Sequence, residues 1–223
     1  MVKPRRKKDV LYAGMATAVK ALANAHRLEL LDLLGQAPRT VDVLAGLTNL
    51  SIANASQHLQ VLRTAGLVES ERRGSFVAYR LADTDVADTL VTLRQLAHAR
   101  SEKLEAIASE LRGGPGVVEV DRVDLLKRVQ RGDVVLVDVR PVEEFAAAHL
   151  PRAVSMPVKE LKARLRELPA DKTVVAYCRG PYCVFAVDAV DVLRAAGFNA
   201  LALSDGVAEW RVRGLPLEGV VLS

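Results

Sequence analysis

At 223 residues, half of them apolar and 26% charged, the sequence can bury the core of one large or two small domains, and its composition is globular. The net charge of +4 lies wholly in the first half. Residues 1–113 carry 16 Lys and Arg against 12 Asp and Glu, whereas residues 114–223 carry 15 of each, so a polyanion is the natural partner of the N-terminal half. Two cysteines five positions apart, Cys178 and Cys183, cannot staple distant segments. That excludes a secreted disulfide framework and fits a reducing cytoplasm, and no apolar run approaches the roughly 18 residues of a membrane span.

The chain opens on a basic arm, Lys3 to Lys8, followed by the apolar stretch Val10 to Val19 and by Ala23-Asn24-Ala25, which imitates a signal-peptidase site. Lys20 interrupts the apolar region, and Leu11, Met15, Ala18 and Leu22 keep a helical period, so the segment reads as a first helix. His26 to Leu34 continues helically with apolar residues at 28, 30, 31, 33 and 34, and Gly35 to Pro38 ends it. A short helix is expected from Thr40 as N-cap, with Val41, Leu44 and Leu47 on one side. After a turn at Thr48 to Leu50, Ser51 caps a helix whose inward face is Ile52, Ala55, Leu59 and Leu62 and which stops at Gly66. Its other face carries Ala53, Asn54, Ser56, Gln57, His58 and Gln60, with Arg63 near its end. Two helices joined by a tight turn, the second with an uncharged polar outer face, suit entry into a DNA major groove, where amide and imidazole groups read base edges. Strand-like Leu67–Glu71 and Phe76–Leu81 then flank Arg72-Arg73-Gly74-Ser75, and arginines at such a hairpin tip suit a phosphate backbone.

The stretches ALANAHRLELLDLL, SQHLQVLRTAGLV and RRGSFVAYRL, in order between Leu22 and Leu81, resemble the ArsR family of small winged-helix regulators. The resemblance implies a site on double-stranded operator DNA. The pattern from Asp85 to Leu111, apolar at 86, 90, 93, 97, 104, 107 and 111, predicts one helix of about 27 residues, about 40 Å long. The resemblance implies that it pairs with a copy of itself in a homodimer. Metal-sensing members use cysteines or last-helix ligands. Residues 1–113 contain no cysteine, and the one ligand-like pair, His98 and Glu102, does not fill a zinc site, so no metal is expected.

Gly113-Gly114-Pro115-Gly116 is the expected boundary, giving a domain at residues 1–112 and another at 117–223. Beyond it, strand-like VVEV (117–120), VVLVD, VVAY and 200–203 alternate with helical 121–130, 141–148, 158–168 and 207–213, which argues α/β with a mostly parallel sheet. The whole is thus multidomain, a mainly-α winged helix-turn-helix followed by an α/β domain. Cys178 falls at the carboxyl end of a strand, where sites in such sheets lie. Backbone N–H groups in the turn after it, with the next helix, form an anion cradle expected to lower its pKa.

CRGPYC at 178–183, LVDVRPVEEF at 136–145 and SDGVAEW at 204–210 resemble rhodanese-type sulfurtransferases, whose first loop cysteine carries a persulfide. The resemblance makes Cys178 the sulfur carrier, with Arg179, Gly180, Pro181, Tyr182 and Cys183 as its cradle. Asp138 and Arg140 support the loop or form a structural ion pair. Phosphatases and arsenate reductases of this fold carry an arginine six positions after the cysteine; position 184 is valine, which disfavours that chemistry. Where many members have Arg, Ser or Thr, this chain has Cys183, either a resolving thiol or a packing residue. His149, in AHLPRA, reads as structural. The expectation is a cytoplasmic, homodimeric DNA-binding repressor that needs no cofactor and answers to a small sulfur donor or another thiol-reactive effector at Cys178. The alternatives are a sulfurtransferase with an accessory DNA-binding domain, or a dithiol sensor of arsenite or a soft metal.

Overall fold

A computed structural model describes residues 4–74, 76–112 and 121–219. The expected boundary at 113–116 and the expected strand at 117–120 lie outside them. The chain divides into two compact units between Leu90 and Val91.

The first unit runs α1 (Pro4–Leu22), α2 (Ala25–Leu34), β1 (Arg39–Thr40), α3 (Val41–Leu47), α4 (Ile52–Thr64), β2 (Val68–Arg73) and β3 (Phe76–Leu81), then enters α5 (Thr84–Ala99). Local chemistry sets the helix starts. Asn24 accepts the backbone N–H of Arg27 at the head of α2, and Ser51 accepts that of Asn54 at the head of α4. Thr40 makes no such bond; its backbone belongs to β1, which pairs antiparallel with β3 and adds a third strand that the sequence pattern does not reveal. Asn49 turns the chain between α3 and α4 in the left-handed region, φ 53°, which Asn tolerates. Ala55, Leu59 and Leu62 are fully buried, the two leucines in one cluster with Leu30, Leu31, Leu44 and Leu81. Ile52, expected on that inward face, is 57% exposed, because it sits in the first turn of α4 beyond the reach of the core.

The expected single helix over 85–111 is two: α5 ends at Ala99, and α6 spans Glu102–Leu111. Ser101 breaks the run by accepting the N–H of Leu104, competing as a cap with continuation of the helix.

The second unit continues with α7 (Arg122–Arg131), β4 (Val134–Asp138), α8 (Val142–Ala147), β5 (Val154–Ser155), α9 (Leu161–Arg164) leading into a short 3₁₀ turn, β6 (Thr173–Tyr177), α10 (Phe185–Ala195), β7 (Ala200–Leu203) and α11 (Val207–Val212). The strand order is β5-β4-β6-β7, all parallel. The helix expected over 158–168 shrinks to α9 and the 3₁₀ turn. Both faces of the sheet are covered, so alternate residues of β6 enter different cores. Val174 and Ala176 pack beside Ala189 and Leu193 of α10, while Val175 and Tyr177 pack beside Leu125, Leu203 and Trp210. The same alternation sends Cys178, the next residue, into the α10-side core.

At the end of β4, Asp138 and Arg140 are both fully buried and doubly bonded, Arg140 Nε to Oδ1 at 2.9 Å and Nη2 to Oδ2 at 2.6 Å. Nη2 also donates to the Ala148 carbonyl at 2.7 Å, and the guanidinium lies over the Tyr177 ring. This pair ties β4, β6 and the α8–β5 connection together beneath the carboxyl edge of the sheet. Asp138→Ala strands a buried cation and should cost about 3–5 kcal/mol. The check is the urea midpoint of the second unit, read from the fluorescence of Trp210, the chain's single tryptophan.

Candidate functional sites: a recognition helix and a cysteine loop

On α4, Ala53, Asn54, Ser56, Gln57, Gln60 and Arg63 are exposed on one uninterrupted face. His58 is half-buried, its ring 5.6 Å from that of His26. Burial, with Arg27 and His26 nearby, lowers its pKa, so at neutral pH it presents a neutral imidazole able to donate from one nitrogen and accept at the other. Arg63 Nη1 donates to Ser70 Oγ at 3.1 Å, fixing the helix to strand β2. β2 and β3 pair from Val68↔Leu81 to Arg73↔Phe76, which puts Arg72 and Arg73 at the tip as expected from the sequence. Arg72 is exposed and curls onto the Gly74 carbonyl at 3.3 Å.

In the second unit the loop from Cys178 to Val184 joins β6 to α10. Backbone N–H groups of Gly180 and Ala186 point at the Cys178 sulfur, and those of Arg179 and Phe185 at the Cys183 sulfur. Cys178 Sγ donates to the Cys183 carbonyl at 3.2 Å and lies within hydrogen-bonding reach of the Cys183 sulfur. The thiol chemistry departs from expectation. Burial pushes the Cys178 thiol well above the ordinary thiol range, reinforced by its bond to Cys183 and by that neighbour's charge. Cys183 is lowered to about 6, through the hydrogen bond from Cys178, the N–H groups of Arg179 and Phe185, and the Arg179 charge. The two shifts run in opposite directions because ionisation of one thiol disfavours ionisation of its neighbour, and the more deeply buried sulfur is the one held as a thiol.

Arg179 is committed elsewhere. Its Nε and Nη2 grip the fully buried carboxylate of Glu144 on α8 at 2.6–3.0 Å. Gly180 and Gly206 are required by close approach: a Cβ on Gly180, where φ is +132°, would stand 2.8 Å from Glu209 Oε2, and one on Gly206 would stand 2.4 Å from the Arg179 carbonyl. Glu209 itself accepts the Gly206 N–H at 2.9 Å and Arg94 Nη1 at 2.6 Å. Exposed Tyr182 bonds its hydroxyl to His98 Nε2 at 2.5 Å and lies under the Arg94 guanidinium at 4.7 Å. His98 Nδ1 meets Glu105, seven positions on, and not Glu102, because the break at Ser101 abolishes the i,i+4 relation. A cavity of about 560 Å³ beside the loop is walled by Arg94, His98, Glu105 and Glu209 with Pro181, Asp205, Arg122, Arg112 and Arg213. His149 stacks on Phe145 and bonds its carbonyl, a structural role.

The structure thus brings Cys178, Arg179, Gly180, Pro181, Tyr182 and Cys183 into one loop and sets Asp138 and Arg140 beneath the sheet edge that bears it. Glu144, Glu209 and Arg94 are the loop's other supports, which sequence reasoning missed, and His98, weighed there only as a metal ligand, joins them through Tyr182. Glu144 and Glu209 lie within VEEF and VAEW, and a charged residue inside such an apolar segment is the signal that marks them.

Two outcomes follow from this geometry. Gly206→Ala should displace the loop and alter the rate of thiol alkylation several-fold while leaving the α4 face unchanged, as read by mass spectrometry after timed iodoacetamide treatment. Gln57→Ala with His58→Ala should abolish sequence preference, whereas Arg72→Ala with Arg73→Ala should weaken all DNA binding and flatten its salt slope by about two units, as read by fluorescence anisotropy across a salt series.

Comparison with known proteins places both halves. A helix-turn-helix domain family model matches residues 22–71, and the rhodanese-like domain model matches residues 121–213. The HTH-type transcriptional regulator Rv0324 of Mycobacterium tuberculosis is 43% identical over 212 residues, covering 95% of this chain and 93% of its own. A sulfurtransferase of Allochromatium vinosum is 33% identical over 102 residues, 45% of this chain and 94% of its own. A homodimeric winged helix-turn-helix fragment from Mycobacterium bovis, solved by NMR, is 39% identical and covers 44% of this chain and 91% of its own, with a TM-score of 0.41. Helix-turn-helix and rhodanese-like domains in one chain, and a relative aligned over nearly the whole of both sequences, make this protein a member of the ArsR-type winged-helix transcriptional regulators that carry a C-terminal rhodanese-like domain.

Proposed function

We propose that the protein is a homodimeric regulator, acting in the cytoplasm on double-stranded operator DNA, whose affinity for that DNA answers to sulfane sulfur or another thiol-reactive signal at the Cys178–Cys183 loop. The observation that carries this reading is the thiol pair itself. Two thiols held in one short loop after β6, with backbone N–H groups turned toward both sulfurs, are suited to thiol chemistry, and they are the only cysteines of a chain whose DNA-binding half has none. Bases would be read by Asn54, Gln57, His58 and Gln60, with Ala53 and Ser56 allowing close approach and Arg63, Arg72 and Arg73 serving the backbone. A second copy is the natural cover for the apolar face of α1, where Val10, Leu11, Tyr12, Met15 and Val19 are each more than 60% exposed.

The likeness to a sulfurtransferase over the second half supports another reading, turnover through a Cys178 persulfide, with thiosulfate or polysulfide as donor and Arg179 and Cys183 lining the loop. One experiment separates the two. DNA selected in vitro by the full chain is titrated with protein before and after treatment with a polysulfide, and thiocyanate formation from cyanide is followed in parallel. The regulator reading expects a change in DNA affinity of about tenfold in wild type and none in Cys178→Ser. Rapid thiocyanate turnover by protein whose DNA affinity ignores the donor overturns it in favour of the enzyme.

A further inference from the structure

We propose that the cavity beside the cysteine loop is a second binding site, distinct from the thiol pair, and that it takes a small molecule carrying at least two oxyanion groups, carboxylate or phosphate.

Four guanidinium groups, those of Arg94, Arg112, Arg122 and Arg213, reach its wall from four separate helices or their ends. Pro181 is the one residue of the loop on that wall among the described residues, and neither cysteine lines the space. Occupancy of the cavity therefore needs no thiol.

The charges on the wall do not cancel. Three carboxylates, of Glu105, Asp205 and Glu209, face the four guanidiniums, which leaves one positive charge in excess, four less three, with His98 uncounted. Asp205 and Glu209 are each 5% exposed and fixed in place, Asp205 on Arg122 and Glu209 on the Gly206 N–H and Arg94. Arg213 is the cation left over. Its Nη1 donates to the Glu209 carbonyl at 2.8 Å, but the carboxylate oxygen it approaches, Asp205 Oδ2, lies 3.8 Å away, beyond hydrogen-bonding distance. The rest of its exposed fork has donors to give to an anion.

A second receptor is already occupied by a carboxylate of the chain itself. Glu105 meets His98 Nδ1 at 2.6 Å and accepts from Arg112 Nη2 at 2.5 Å, while half of its own side chain is exposed to solvent. The imidazole and the Arg112 fork are thus set at carboxylate spacing, and Glu105 can swing outward to make way for a ligand group of the same chemistry. Such an occupant takes over the imidazole whose Nε2 bonds Tyr182, so it bears on the loop without entering it.

The volume of about 560 Å³ falls within the range of small-molecule pockets, about 300–1,000 Å³, and is more than one sulfate or phosphate ion fills. Ser109, Ser204 and Gln95 add neutral polar groups, and Val91 and Pro181 add apolar wall. Guanidinium forks match planar carboxylates and phosphates alike, so the donor set fixes the charge and spacing of the ligand and leaves the kind of oxyanion to experiment.

The test is isothermal titration calorimetry of the full chain at about 0.1 M salt, with citrate as the carboxylate probe, pyrophosphate as the phosphate probe and sulfate as a probe of charge alone. One site per chain, with a Kd below about 1 mM, is expected for citrate or pyrophosphate, and whichever binds more tightly assigns the oxyanion. Sulfate should bind at least about tenfold more weakly, because it engages one receptor and not both. Arg112→Gln and Arg213→Gln should each weaken binding by about tenfold, the loss of one charge-assisted pair. Glu105→Gln should tighten binding by removing the internal competitor, an outcome that a merely structural Glu105 does not give. The urea midpoint read from Trp210 checks that each variant folds, and Arg213→Lys, which keeps the charge and loses the fork, serves in place of Arg213→Gln if that variant does not. Failure of both citrate and pyrophosphate to bind at up to about 10 mM, sulfate binding as tightly as either, or affinity unchanged in both arginine variants overturns the proposal. No thiol takes part in this readout, so its result stands apart from the outcome of the polysulfide experiment.

Discussion

A five-residue strand covered on both faces is the constraint on which the second unit depends. With β4 on one side, β7 on the other and helices above and below, β6 has no freedom in register, since a shift by one residue would exchange the contents of two cores. Val174, Ala176 and Cys178 therefore face α10, while Val175 and Tyr177 face α7 and α11. The thiol is placed by packing before any catalytic argument applies, and its burial follows from the pleat.

That placement explains the division of labour in the loop. A buried sulfur resists ionisation, and a neighbour five residues on, less buried and better supplied with donors, accepts the charge. Everything around the pair restrains the backbone that carries it. Glu144 holds Arg179, Glu209 fits against Gly180 and caps Gly206, and Asp138 with Arg140 locks the sheet edge below. Such packing restrains the loop backbone, so a change in side-chain volume at Gly180 or Gly206 is felt by the groups that hold it. Tyr182 and Glu209 are the contacts through which a displaced loop would meet α5, by way of His98 and Arg94.

The first unit follows a different economy. Three fully buried residues, Ala55, Leu59 and Leu62, orient α4 on the core, and its outer face carries Asn54, Ser56, Gln57 and Gln60 among the exposed positions. The apolar residues of α1 at 10, 11, 12, 15 and 19 are the most exposed large apolar side chains of this unit among the described residues.

How much of this was legible in the sequence depends on the range of the interaction responsible. Helix periods, the caps at Asn24 and Ser51, the hairpin around Gly74, the strand–loop–helix around Cys178 and the two-domain composition are local, and spacing along the chain sufficed to read them. The sequence also carried the break at Ser101, as a capping residue, but the apolar period on either side masked it. Only tertiary structure could decide which thiol ionises, because that depends on burial and on N–H groups from residues folded around the sulfurs. Likewise, no spacing pairs Arg179 with Glu144, Tyr182 with His98 or Arg94 with Glu209, since these partners lie 35 to 115 positions apart and meet only when the sheet and its helices have closed.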